Sequence, residues 1–151
     1  LRSSPDPSGR VLKDVVVSIS LKKLDGLGIG AIESLRAAGI RTSDKLLEAA
    51  KSPKGRKALS EKTGIDPHRL LRFANLADKM RVKGLGKEYA ELLCHVGVDT
   101  VRELKYRNPA NLAAAMRKEN EKRKLVRLVP TEKAVSRWVA SAKKLPQMIS
   151  Y

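Results

Sequence analysis

Aromatic residues make up only 3 % of this chain, and that scarcity is the first constraint on its fold. With one Phe, one Trp and three Tyr, a core must be built from Leu, Val, Ile and Ala. Such side chains suit helices packed closely on one another and exclude a sandwich or barrel of many short strands. Cysteine is scarcer still. Cys94 stands alone, which excludes an internal disulfide and a thiolate-rich metal site. The only histidines are His68 and His95, and no metal-ligand spacing, phosphate-binding GK[ST] loop or nucleophile elbow occurs. Cys94 and His95 are neighbours, but on a helix adjacent side chains diverge by about 100°, so they do not form a nucleophile–base pair. Cys94 reads instead as a small packed residue. Long apolar runs are absent too. The stretch 15–21 falls well short of the roughly 18 residues that a membrane span requires.

Acidic residues are also few: 16 Asp and Glu face 32 Lys and Arg, for a net charge of +16 in 151 residues. A surface so unbalanced repels itself and attracts polyanions. Nucleic acid is the leading partner of that kind, ahead of acidic proteins and anionic membranes. The basic residues cluster. Arg117, Lys118, Lys122, Arg123, Lys124 and Arg127 lie close together, opposed by Glu119 and Glu121. Lys51, Lys54, Arg56, Lys57 and Lys62 form a second group.

Residues 1–13 have the Pro, Ser and Gly content of a loose tail, and a β-branched extended segment follows at 14–20. The Arg- and Ser-containing opening, which begins with Leu1, suits either a trimmed organellar presequence or a simple chain boundary. The first option carries the expectation of a mitochondrial or other organellar matrix location. From residue 21 helical patterning takes over, and with it an internal duplication. Shifted by 58 residues, the segment 26–46 aligns with 84–104 without a gap, and eight of 21 positions are identical, enough to mark one structural unit used twice. The identities are Gly26/Gly84, Leu27/Leu85, Gly28/Gly86, Glu33/Glu91, Leu35/Leu93, Gly39/Gly97, Thr42/Thr100 and Leu46/Leu104. In each copy a Gly-Leu-Gly turn precedes a helix, a glycine sits where that helix should stop, and a Thr or Ser can cap the next one.

Between the copies, a helix over 54–62 stops at Gly64, and Asp66-Pro67 starts another that turns Leu70, Leu71, Phe73, Ala74, Ala77 and Met80 inward. Asn108-Pro109 predicts a helix through Met116, and Pro130-Thr131 a last one bearing Ala134, Val135, Trp138, Val139 and Ala142. Trp138 and Phe73 stand at core spacing. The expected organisation is all-α: a domain over 21–146 with repeats at about 21–50 and 79–107, a helical spacer, a C-terminal helix and a tail at 147–151.

The Gly-Leu-Gly turns, each between an apolar segment (Leu21, Leu24; Met80, Val82) and a helix, resemble the helix-hairpin-helix motif. The stretch from about Leu21 to Pro146 resembles an uncharacterised tandem helix-hairpin-helix family described as a domain of unknown function, a likeness covering about five-sixths of the chain. It is carried also by the spacer SPKGRKALSEKTGIDPHRLLRFANLADKMRVKGLG and by NEKRKLVRLVPTEKAVSRWVASAKKLP near the end. The resemblance implies that backbone N–H groups at the hairpins hold a phosphate of DNA or RNA, where the positive helix end and close approach at glycine favour an anion. The implied donors are Gly26, Leu27, Gly28 and Gly30 in the first turn, and Gly84, Leu85, Gly86 and Lys87 in the second. Some helix-hairpin-helix proteins also hold a monovalent cation on hairpin carbonyls, and the resemblance admits one here; no other cofactor is expected.

The copies are unequal. Lys83 and Lys87 flank the second turn, tempered by Glu88, whereas Asp25 precedes the first and would repel a phosphate unless it caps the hairpin itself. The second turn is therefore the better expected phosphate site. Helix-hairpin-helix modules occur inside nucleases, glycosylases and ligases, but no length remains here for a separate catalytic domain, so the expected role is non-enzymatic. Two functions follow: a nucleic-acid-binding accessory protein, such as a subunit of an organellar ribosome, or a structural subunit of a large mitochondrial protein complex that uses the repeats for docking. Residue patterns alone leave DNA versus RNA, base specificity and the parent assembly open.

Overall fold

Helix starts in this chain are written by short polar side chains followed by proline, and the structure uses them as such. The computed structural model describes residues 19–24 and 27–151; the tail at 1–13 and positions 14–18 of the extended segment lie outside the described residues. Among the described residues the fold is all-helical, with α1 (Ile29–Ala37), α2 (Ser43–Ala50), α3 (Pro53–Thr63), α4 (Pro67–Lys79), α5 (Gly86–His95), α6 (Val101–Lys105), α7 (Pro109–Arg123) and α8 (Glu132–Lys144). Ser52, Asp66 and Asn108 each accept a hydrogen bond from an amide in the first turn of α3, α4 and α7, and proline follows each at a position whose missing N–H costs nothing. Thr131 caps α8 in the same way, accepting from the Ala134 amide.

The two copies of the repeat end their first helices identically. Gly39 and Gly97 take φ of 89° and 88°, a region that only glycine enters cheaply. That reversal lets the Ile40 N–H donate to Leu35 O at 2.9 Å and the Val98 N–H to Leu93 O at 2.9 Å, closing each helix in a Schellman-type turn. The same turn drives Ile40 and Val98 into the core beside Leu35 and Leu93. Thr42 and Thr100 then precede α2 and α6 in matching extended conformations.

The approaches to the two copies differ. The first copy is entered through an extended segment: Leu21 N–H donates to Arg41 O at 3.0 Å, and Ser43 N–H to Ile19 O at 2.8 Å, around an isolated antiparallel bridge between Ser20 and Thr42. A single 3₁₀ turn, Leu21–Lys23, follows. The second copy is entered directly from α4, so no such backbone pairing forms. The position matching Leu21 is Lys79, fully buried, whose Nζ donates to Val98 O at 3.4 Å, to Ala90 O at 3.3 Å and to Cys94 Sγ at 2.7 Å. A side chain thus makes the tie that backbone makes in the first copy. Cys94 itself is exposed rather than packed.

Helix α4 joins the halves, packing on α2 and α3 on one side and on α5 and α6 on the other, while α8 packs on α6 and α7. One continuous apolar cluster runs from Leu21 to Ile149, and Phe73 and Trp138 lie within it, each 3 % exposed. Leu71 is only partly buried at its margin.

Three further features depart from sequence expectation. Helix α7 runs past Met116 to Arg123, because residues 117–123 have good helix propensity, and stops where Lys124 adopts a left-handed φ of 52°. Arg56 is not part of a solvated basic face: its guanidinium is buried, donating to Ala50 O and Ser150 O at 2.9 Å each. Its partner Ser150 belongs to the last five residues, expected as a tail, which fold back over the α2–α3 junction. Ile149 is buried there, and Ser150 N–H donates to Lys51 O at 2.8 Å.

The two threonines that open α2 and α6 make a discriminating pair. Thr100 forms a full capping box with Glu103, whereas the hydroxyl of Thr42 turns to Asp44 and makes no cap hydrogen bond. Thr100→Ala should therefore cost about 1 kcal/mol in urea unfolding and Thr42→Ala less. Equal losses would contradict this difference between the copies.

Candidate functional site

A helix start with no capping side chain leaves its first amides available, and both Gly-Leu-Gly turns lead into such a start. In each the central leucine, Leu27 or Leu85, is 1 % exposed and anchors the turn in the core. The glycine that follows, Gly28 or Gly86, takes φ of 88° or 75°, so the chain reverses into the helix with no side chain over the amides. Space above Gly28, Gly30 and Gly86 is open, with no atom within 4 Å of a Cβ built on any of them.

At the first turn Gly26 and Asp25 lie outside the described residues. The earliest backbone bond of α1 is from Ile32 N–H to Gly28 O, so Ile29, Gly30 and Ala31 have amides without an intrahelical acceptor. Ile29 projects at 78 % exposure beside them. A charge reaches this turn from α4: Arg69 lies over the ring of Phe73, 5.4 Å from its centroid, and Nη2 comes within 3.5 Å of Leu27 O.

The second turn is backed by α8. Lys83 N–H donates to Ser141 Oγ at 3.3 Å, and Leu85 N–H to Val82 O at 3.2 Å, so these two amides are used within the protein. Gly84 and Gly86 keep amides with no protein acceptor among the described residues. Lys83 is exposed, Lys87 is half-buried on the first turn of α5, and Glu88 is exposed next to it.

A groove of about 310 Å³ opens beside this turn, between Lys83 and Gly84 on one side and the segment Leu128–Thr131 on the other. Ala134, Arg137 and Trp138 of α8 and Tyr89 of α5 complete it. Tyr89 donates its hydroxyl to Leu128 O at 2.8 Å, which holds the segment against α5.

Arg117, Lys118, Lys122, Arg123, Lys124 and Arg127 are all exposed. Arg123 pairs with Glu119, holding that carboxyl below its usual range, chiefly through their hydrogen bond. Asn120 fixes the chain beyond α7 by bonding both the N–H and the C=O of Val126 at 3.0 Å. Arg127 consequently stands next to Leu128 in the groove wall, whereas the other five lie further back along α7 and its cap. Arg69 and Arg137 were missed by sequence reasoning. Each is isolated from the basic clusters, and only packing of α4 and α8 against the turns brings them close.

The chain is therefore an all-helical protein with an internally duplicated unit. Residues 26–145 match the family described as Domain of unknown function (DUF4332), and the chain belongs to that family. Comparison with curated proteins and with solved structures finds no match. Among the described residues no helix is long and apolar enough to cross a membrane.

The entry to the second turn is held by Asp78 and Arg81. Arg81 donates to Asp78 Oδ1 at 2.6 Å and to Pro146 O at 3.1 Å, tying the end of α4 to the chain after α8. Burial holds the Asp78 carboxyl above the usual carboxylate range, and Arg81 offsets part of that rise. A raised folded value adds stability below the unfolded pKa and loses it as pH climbs through the folded one. Wild type should thus gain on Asp78→Asn as pH falls from about 7 to about 3 in parallel melts. A flat or opposite difference would refute the assignment.

Proposed function

We propose that this protein is a non-enzymatic nucleic-acid-binding protein, that its two repeats are helix-hairpin-helix units, and that the second turn is its principal phosphate site. The observation that carries this reading is the start of α5. Gly84 and Gly86 offer amides at a helix end with no capping side chain, and Lys83 and Arg137 border the adjoining groove. Partial positive charge from the helix end, two flexible cations and the lack of a Cβ at the approach all favour an oxyanion. Glu88 is the one acidic residue in the first turn of α5. The net charge of +16 and the exposed residues Arg117, Lys118, Lys122, Arg123, Lys124 and Arg127 extend the favourable field along a backbone. Contacts of this kind position the protein on phosphates without reading bases.

The first turn supports a second reading for its own face. It places Ile29, 78 % exposed, where the second copy has Lys87. An apolar tip between glycines suits docking to another protein, as a structural subunit of a larger assembly would require.

Binding to duplex DNA and to structured RNA across a salt series tests the main reading. Affinity should fall steeply with salt, and Lys83→Glu with Arg137→Glu should reduce the log–log slope for duplex DNA by about 2. Absence of binding at low salt would overturn the nucleic-acid reading. An unchanged slope in the folded double variant would remove the second turn as the phosphate site.

A further inference from the structure

The groove beside the second turn contains a polar group that the protein leaves unanswered. Trp138 is 3 % exposed, and its indole Nε1 has no acceptor within hydrogen-bond distance among the described residues. Burying such a donor without a partner is unfavourable, so tryptophan N–H groups in protein interiors usually find one. The Nε1 lies at the groove: a Cβ built on Gly84 would stand 3.9 Å from it, and Gly84 and Trp138 both line the cavity. Of the neighbouring hydroxyls, that of Tyr89 donates to Leu128 O and that of Thr131 accepts from the Ala134 amide, so neither answers the indole.

The remaining walls restrict what could supply the acceptor. Tyr89 stands 5.2 Å from Trp138, ring centre to ring centre, at an interplanar angle of 43°, forming an aromatic side. Leu128, at 77 % exposure, and Val129 present apolar surface, and Pro130 adds a rigid face. Lys83 and Arg137 are the charged residues of the lining, which contains no carboxylate among the described residues. The space of about 310 Å³ sits at the small end of ligand cavities. A fitting occupant has a flat apolar body, a carbonyl-type acceptor for one N–H donor, and negative charge within reach of two cations. A nucleotide combines these.

We propose that this groove receives one unstacked nucleobase of a bound single-stranded segment, whose base accepts a hydrogen bond from Trp138 Nε1 while its flanking phosphates meet Lys83 and Arg137. The proposal rests on the phosphate-binding reading of the second turn and adds a base site to it. Exposed apolar residues and an aromatic wall serve sequence-tolerant contact to bases, as in single-strand binding generally. The opening at Gly84 matters because any larger residue there would narrow the path between phosphate and indole.

Trp138 is the single tryptophan of the chain, so its emission reports this groove alone. Short single-stranded RNA and DNA, abasic strands of the same length, inorganic phosphate and an acidic peptide would be titrated against the full chain. Trp138 emission and the anisotropy of labelled strands would be recorded together. Intact strands should bind and change Trp138 emission, abasic strands should bind more weakly with emission nearly unchanged, and phosphate alone should have little effect. Trp138→Phe, which keeps an aromatic ring but removes the donor, should weaken intact strands roughly three- to tenfold and leave abasic strands unaffected. Arg137→Ala, a surface change, gives a second variant independent of the core and should weaken both.

Binding by anisotropy with no emission change, or equal binding of intact and abasic strands, would overturn the base site while leaving the phosphate reading intact. No binding of any single strand would overturn the base site, and together with no binding of duplex DNA it would overturn the phosphate reading as well. An emission change produced by the acidic peptide and by no strand would assign the groove to a protein partner and refute the proposal.

Discussion

Everything at the candidate site depends on one leucine being pulled inward between two glycines. Leu85 and its counterpart Leu27 are each 1 % exposed, so the apex of each turn is fixed to the core by apolar burial worth about 2 kcal/mol or more. With the apex anchored, the chain must reverse sharply to begin the next helix, and Gly86 or Gly28 supplies the positive φ for it. The same reversal leaves the helix start free of any capping side chain. Anchorage, turn and exposed amides are consequences of one arrangement, and a larger residue at either glycine would disturb all three.

Duplication supplied this arrangement twice, and divergence then acted on the residues around it. Leu21 of the first copy corresponds to Lys79 of the second, and an extended approach paired by backbone is replaced by a helix tied through a buried side chain. Ile29 corresponds to Lys87, so an apolar tip stands where the other copy carries a cation. The first turn has Arg69 lying near one of its carbonyls, whereas the second has α8 behind it and a groove at its side. Turns alike in backbone thus meet different surroundings.

Much of the fold was legible because it is set by near neighbours. Asp66-Pro67, Asn108-Pro109 and Thr131 announce helix starts through bonds spanning two or three residues, and Gly39, Gly64 and Gly97 mark stops through backbone conformation at a single position. Where the reading fell short, a distant partner decided. Arg56 looks like one more surface cation until the carbonyl of Ser150, 94 residues away, is found on its guanidinium. The last five residues look like a tail until Ile149 is seen in the core. Cys94 has core spacing on its helix yet faces outward, its sulfur met by Lys79 from the preceding helix.

The sequence by itself determined the all-helical class, the repeat, the glycine turns and the excess of positive charge, since periodicity, identity at a fixed offset and composition need no third dimension. Only tertiary structure decided what stands beside each turn. The packing of α8 brings Arg137, Ser141 and Trp138 to Lys83 and Gly84, more than fifty positions earlier in the chain. Local bonding rules specify a helix and its ends, whereas contact between helices depends on how all their apolar faces are buried at once, and a groove exists only after that has been settled.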